Sequence, residues 1–245
     1  MKSFVIILIL LIATLAFLNF FTINFEELKT EVSIPSFERK TISESNVVKL
    51  PVPAIDENGN GVLTTLIVEA VPGKGRVLTD INHLLFFIDT QNSIQIAKSV
   101  AQQITGIDTS KIDLIYQIET NASAIGGPSA GAALTIATIA ALENKTLNQK
   151  VGITGTINPD GSIGPVGGIE EKAKAAKEAG IEIFLVPKGQ GTQITYTPKR
   201  ECKKIGPILY CTTEYLIKKV DVSESVGIQV KEVSNIQEAL KYFLG

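Results

Sequence analysis

The eleven residues AIGGPSAGAAL, from Ala124 to Leu134, constrain this chain more than any other segment. Gly126 and Gly127 permit backbone angles and close approaches closed to other residues. Pro128 suits the first turn of a helix, where a missing N–H leaves nothing unpaired. A helix of small residues then runs from Pro128 to Leu142. Ser129 is thereby set at a helix N-terminus, among unpaired N–H groups and the positive end of the dipole. A hydroxyl there can act as a nucleophile, with N–H groups near Gly127 and Ser129 to meet the oxyanion of an acyl-transfer intermediate. On their own, the same residues also describe a capped, tightly packed helix that opens at a glycine turn.

A lysine further along changes that balance. In GGIEEKAKAAKEAG, helical spacing puts Ile169, Lys172, Ala173, Ala176 and Ala179 on one stripe, and most of the charged residues elsewhere. Lys172 thus sits where a core-facing stripe expects an apolar side chain. Burial disfavours its charge and lowers its pKa, as an amine base working near neutral pH requires. Without the serine segment, a lysine at the edge of the stripe with its head in water would explain the pattern as well.

Composition removes other chemistries. There is one histidine, His83, and there are two cysteines, Cys202 and Cys211, so no zinc site of several His and Cys can form. No metal and no cofactor is expected. A formal net charge of −2, no tryptophan and 6% aromatic residues give no electrostatic or stacking case for nucleic acid. His83 lies between apolar residues in DINHLLFF and reads as structural rather than as a member of a Ser–His–Asp triad.

The N-terminus carries the apolar run FVIILILLIATLAFLNFF, Phe4 to Phe21, with Lys2 in front and the acidic NFEELKTE behind. Such a run spans a bilayer core as a helix, and the charge asymmetry puts the following domain outside. Residues 1–23 are read as a single transmembrane anchor, or as a signal peptide cleaved near Ala16 that would leave a secreted domain. Residues 24–45 are read as a juxtamembrane stalk and 46–245 as the catalytic domain. Strands are expected at Val47–Ala54 and Val62–Val71 around the turn signal Asn58-Gly59, at Ile112–Glu119, Val151–Ile157, Ile181–Pro187 and Gly227–Val233. Helices are expected at Gln91–Ile104, Gly168–Ala179 and Asn235–Leu244, the last capped by Asn235. Without regular βαβ repetition the fold class is α+β, with mixed sheets and packed helices. Lys188–Cys211 reads as a hairpin insertion turning at Gly206-Pro207, which would face Cys202 towards Cys211 within disulfide reach.

GPSAG with its alanine-rich helix, then ITGTI, then GPVGGIEEKAKAAKEAGI, resembles the proteolytic domain of the Lon protease family. Ser129 precedes Lys172 by 43 positions, which also fits that pattern, and VEAVPGKGRV (Val68 to Val77) is similar to the family's first hairpin. The resemblance implies Ser129 as nucleophile, Lys172 as general base and Thr154 as a hydroxyl that orients the lysine amine. It further implies an α+β fold, a homo-oligomeric ring, and peptides or unfolded proteins as substrates. Two carboxylates usual in the family are missing, since Gly126 and Thr156 stand at their positions. No G-x-x-x-x-G-K-S/T loop occurs in these 245 residues, so the hydrolysis expected here is ATP-independent. Two other readings remain at this stage. One is a catalytically silent scaffold or peptide-binding module at the membrane. The other is a small-molecule kinase of related fold, which leaves a buried Lys172 unexplained.

Overall fold

The computed structural model describes residues 41–80, 88–120 and 127–244, together with Thr14. The apolar run at Phe4–Phe21, most of the stalk, His83 and Gly126 lie outside the described residues. Among those described, no helix is long and apolar enough to cross a membrane.

Two long strands open the domain, β1 (Asn46–Ile55) and β2 (Gly61–Pro72), paired antiparallel from Asn46↔Ala70 to Ile55↔Gly61. The loop between them is held by Asp56, whose carboxylate accepts from the Asn58 and Asn60 amides at 2.9 and 2.8 Å. A short strand β3 (Val77–Thr79) and helix α1 (Ile88–Thr105) follow, then β4 (Ile112–Glu119). The first sheet has the order β1-β2-β4-β3, with β3 parallel to β4. Asp113, buried at the head of β4, organises the link between β2 and β3. Its carboxylate accepts from the Lys74 and Arg76 amides and from the Arg76 guanidinium at 2.6 and 2.9 Å. Those donors hold the Asp113 carboxyl well below the usual carboxylate range.

The central helix α2 (Gly131–Glu143) is reached through a single 3-10 turn at Pro128–Ala130. Every residue from Gly131 to Leu142 is buried. A helix apolar all round belongs in a core, and this one packs against α1 and the β1–β2 hairpin. Its Thr138 hydroxyl lies 2.9 Å from that of fully buried Tyr116.

A second sheet has the order β11-β8-β5 and is wholly parallel. It is built from β5 (Val151–Ile153), β8 (Ile183–Pro187) and β11 (Gln229–Val233), with helix α3 (Ile169–Glu178) between the first two. The small β6–β7 ribbon (Thr156–Ile157 with Ile163–Gly164) closes the turn at Asn158–Gly161. Helix α4 (Val222–Val226) precedes β11, and α5 (Ile236–Leu244) ends the chain, with the Glu238 amide donating to the Asn235 side chain at 2.9 Å. The α+β class therefore holds, with a parallel unit inside it that the sequence pattern did not announce.

The insertion is longer than Lys188–Cys211. Strands β9 (Thr192–Ile205) and β10 (Ile208–Asp221) pair over fourteen residues each, in register from Thr192↔Asp221 to Ile205↔Ile208. The turn residues Gly206-Pro207 lie at its tip, so the returning arm must match the outgoing one and reaches Asp221. Cys202 and Cys211 are register partners and are joined in a disulfide.

Candidate active site

Gly127 sets the entry to the serine turn. It adopts φ 108° and ψ 157°, a backbone region open essentially to glycine alone. Pro128 follows at the first position of the turn, and Ser129 comes next, half-buried. The Ser129 backbone is fixed by the segment after β5. The Gly155 amide donates to the Ser129 carbonyl at 2.9 Å and the buried Thr154 hydroxyl donates to the same oxygen at 3.3 Å. The Gly155 carbonyl in turn accepts from the Ala132 amide at 3.0 Å. This pair of crossed contacts interrupts the expected Val151–Ile157 strand at Thr154–Gly155. The Thr154 amide still donates to the Leu185 carbonyl of β8 at 3.0 Å, whereas the Gly155 backbone turns to the serine segment.

Lys172 lies on α3, on a buried face made by Ile169, Lys172, Ala173, Ala175 and Ala176. The lysine is 3% exposed. Desolvation pulls its pKa from an ordinary 10.5 down to about 8, opposed in part by the Glu171 carboxylate. Among the described residues, no hydrogen bond is made by its Nζ. The Thr154 hydroxyl, expected to orient that amine, is here engaged with the Ser129 carbonyl, so its observed contact is with the Ser129 backbone.

The β1–β2 hairpin links the two halves. Ile55 at its end meets Gly168, just before α3, and Gly61 lies so close to the Glu171 carbonyl that an added Cβ would fall 2.0 Å from that oxygen. Higher on the same hairpin, Val52, Pro53, Ala54, Thr64 and Leu66 line a pocket with Thr90 of α1, Ile118 of β4 and the Gly127–Ser129 turn. Sequence reasoning did not assign this pocket. It gathers residues from four separated segments, and only the buried alternation of Val48, Leu50 and Val52 marks the strand that forms its wall. Thr156, one of the two positions lacking a carboxylate, is half-buried on β6, beside Gly164. Cys202 and Cys211 belong to the β9–β10 hairpin and line no part of this pocket. Among the described residues, no group of three or more His, Cys, Asp or Glu could hold a metal ion.

A half-buried serine at a glycine-opened helix start lies beside an apolar pocket, and α3 buries a lysine of lowered pKa; acyl transfer calls for groups of these kinds. Comparison with known proteins points the same way. The chain is 30% identical over 184 residues to the Lon protease of Vibrio parahaemolyticus, which covers 73% of this chain and 23% of that protein. It is 31% identical over 155 residues to the archaeal Lon protease of Thermococcus kodakarensis, covering 62% of this chain and 24% of the relative. The chain thus spans about a quarter of the length of these relatives. The family model for the Lon protease (S16) C-terminal proteolytic domain matches residues 22–242. This chain belongs to the Lon protease C-terminal proteolytic domain family.

Proposed function

We propose that this chain is a serine endopeptidase that hydrolyses peptides and unfolded protein segments without ATP, using Ser129 as nucleophile and Lys172 as general base. The observation that carries this reading is the buried Lys172, whose desolvated amine has a pKa of about 8 and so is partly neutral near physiological pH. A structural lysine gains nothing from such a position, whereas a proton acceptor needs it. The neutral amine takes the hydroxyl proton as Ser129 Oγ attacks the peptide carbonyl carbon. Backbone N–H groups of the Gly127–Ser129 turn meet the oxyanion. The lysine ammonium then protonates the leaving amine, and the acyl group stays on Ser129. Water, giving its proton to Lys172, attacks that ester and frees the serine.

The pocket beside Ser129 is walled by Val52, Ala54, Leu66 and Ile118, which favours a small or medium apolar residue on the acyl side of the cut bond. These 245 residues contain no nucleotide-binding loop, so substrates should arrive as peptides or loosened chains. We further propose that Phe4–Phe21 tethers the domain to a membrane with the catalytic part outside, in keeping with the bonded Cys202 and Cys211. A ring of several copies is the assembly that the family resemblance suggests.

A serine-directed fluorophosphonate probe applied to the full chain from pH 6 to pH 10 tests the site. Labelling should fall on Ser129 and rise through about pH 8, and it should be lost in Lys172→Ala. A folded wild-type protein that takes no label would overturn the proposal in favour of a peptide-binding scaffold.

A further inference from the structure

The β9–β10 hairpin ends in apolar side chains that serve no core. Ile205, Ile208, Leu209 and Tyr210 are 66%, 67%, 64% and 59% exposed. From Ile205 to Thr213 there is no charged residue, and behind this tip the outgoing arm carries Lys199, Arg200, Lys203 and Lys204 while the returning arm carries Glu214. Lys199 pairs with Glu201 at 2.8 Å, whereas Arg200, Lys203 and Lys204 make no ion pair among the described residues. The whole hairpin has six basic and three acidic residues, in a chain whose formal net charge is −2. Fourteen residues per arm extend the tip roughly 45 Å along the strands at ~3.3 Å per residue.

The disulfide gives this arrangement its meaning. A two-stranded hairpin is marginal by itself, and Cys202–Cys211 staples the arms three residues from the turn on each side. The staple fixes the tip without any burial of Ile205, Ile208, Leu209 or Tyr210, so their apolar surface is left for a partner. A basic cluster on one arm, with Arg200, Lys203 and Lys204 outside any ion pair among the described residues, behind an uncharged apolar tip bearing a tyrosine complements one surface chemistry well: an anionic bilayer interface. There apolar side chains enter the acyl boundary, tyrosine sits at headgroup depth and lysine and arginine meet lipid phosphates. We propose that this hairpin is a lipid-docking arm whose tip, Ile205–Tyr210, inserts into the headgroup region of an anionic membrane. The role is independent of hydrolysis at Ser129.

The chain contains no tryptophan, so one introduced indole reports alone. The test uses the full chain in vesicles containing 30% phosphatidylglycerol with brominated acyl chains, as Leu209→Trp at the tip and as Ile194→Trp at the root of the same arm. Emission of Leu209→Trp should shift to shorter wavelength and be quenched at least twofold, while Ile194→Trp stays solvent-like. Lys203→Gln with Lys204→Gln in the Leu209→Trp background should reverse most of the quenching. Equal emission from the two positions would overturn the proposal, as would quenching indifferent to phosphatidylglycerol. A blue shift that follows protein concentration rather than lipid would also overturn it and mark the tip as a contact between two copies. The readout is optical, so peptidase failure and docking failure are told apart.

Discussion

Replacing Lys172 with methionine should abolish hydrolysis and at the same time make the domain more stable. The sign follows from the direction of the pKa shift. Lys172 ionises at about 8 in the folded protein against an ordinary 10.5. Below pH 8 both states carry the proton, and the folded state bears the full penalty of a desolvated ammonium. Between pH 8 and 10.5 the unfolded chain holds a proton that the folded one has released, so stability rises with pH across this window. Above 10.5 the group is neutral in both states and the penalty is gone. A shift of this size corresponds to about 3 kcal/mol at neutral pH, at ~1.4 kcal/mol per unit. Methionine fills a similar volume without charge, so Lys172→Met should gain up to that amount at pH 7. For a domain of this size the gain would be roughly 6–12 °C in Tm. Thermal unfolding of both proteins at pH 7, 9 and 10.5 checks this, since titration of other groups cancels in the difference. The advantage of Lys172→Met should shrink steadily with pH. A variant no more stable than wild type at pH 7, or a gain unchanged up to pH 10.5, would refute the claim that burial alone holds this amine near neutrality.

Several other outcomes can be checked. The kcat/KM for an unstructured peptide should rise with a single ionisation near pH 8 and level off above it; a flat profile from pH 6.5 to 9.5 would remove Lys172 from the proton-transfer role. Gly127→Ala should destabilise by about 1–3 kcal/mol in chemical denaturation, because its φ of 108° strains any side chain although the space around it is open. Ala54→Phe should fill the pocket beside Ser129 and lower kcat/KM most for substrates with bulky acyl-side residues, which a panel of peptides would reveal. Asp113→Asn should destabilise the protein at neutral pH. Because the wild-type carboxyl ionises below its ordinary range, that loss should diminish in acid below the ordinary carboxylate range, as followed by denaturation at pH 2 to 7.

Much of this molecule could be read before its structure, where one periodicity decided the matter. IDLIYQIE alternates between two environments, and β4 has the bounds that alternation predicts, Ile112–Glu119. Of the expected stripe, Ile169, Lys172, Ala173 and Ala176 lie on the buried face of α3 together with Ala175, whereas Ala179 is exposed at the helix end, so the misplaced lysine was legible in the spacing. Features that rest on distant partners were less legible. Nothing in Thr154-Gly155 shows that the Thr154 hydroxyl and the Gly155 amide hold the Ser129 carbonyl, since the contact depends on where α2 lies. The apolar run IEIFLVP marks a buried strand, but its parallel pairing with β5 and β11 is fixed by chain crossings rather than by composition. The second arm of the hairpin, Ile208–Asp221, is exposed on both faces and so lacks the alternation by which strands are recognised.

The central claim is that Ser129 and Lys172 act together without a nucleotide. Its most direct test is cleavage of unfolded casein and of a fluorogenic peptide by the full chain with no ATP present, beside Ser129→Ala and Lys172→Ala. Turnover in the wild type that disappears in both variants, each still folded by circular dichroism, is the predicted result. Normal turnover in either variant, or none in a folded and assembled wild type, would contradict it.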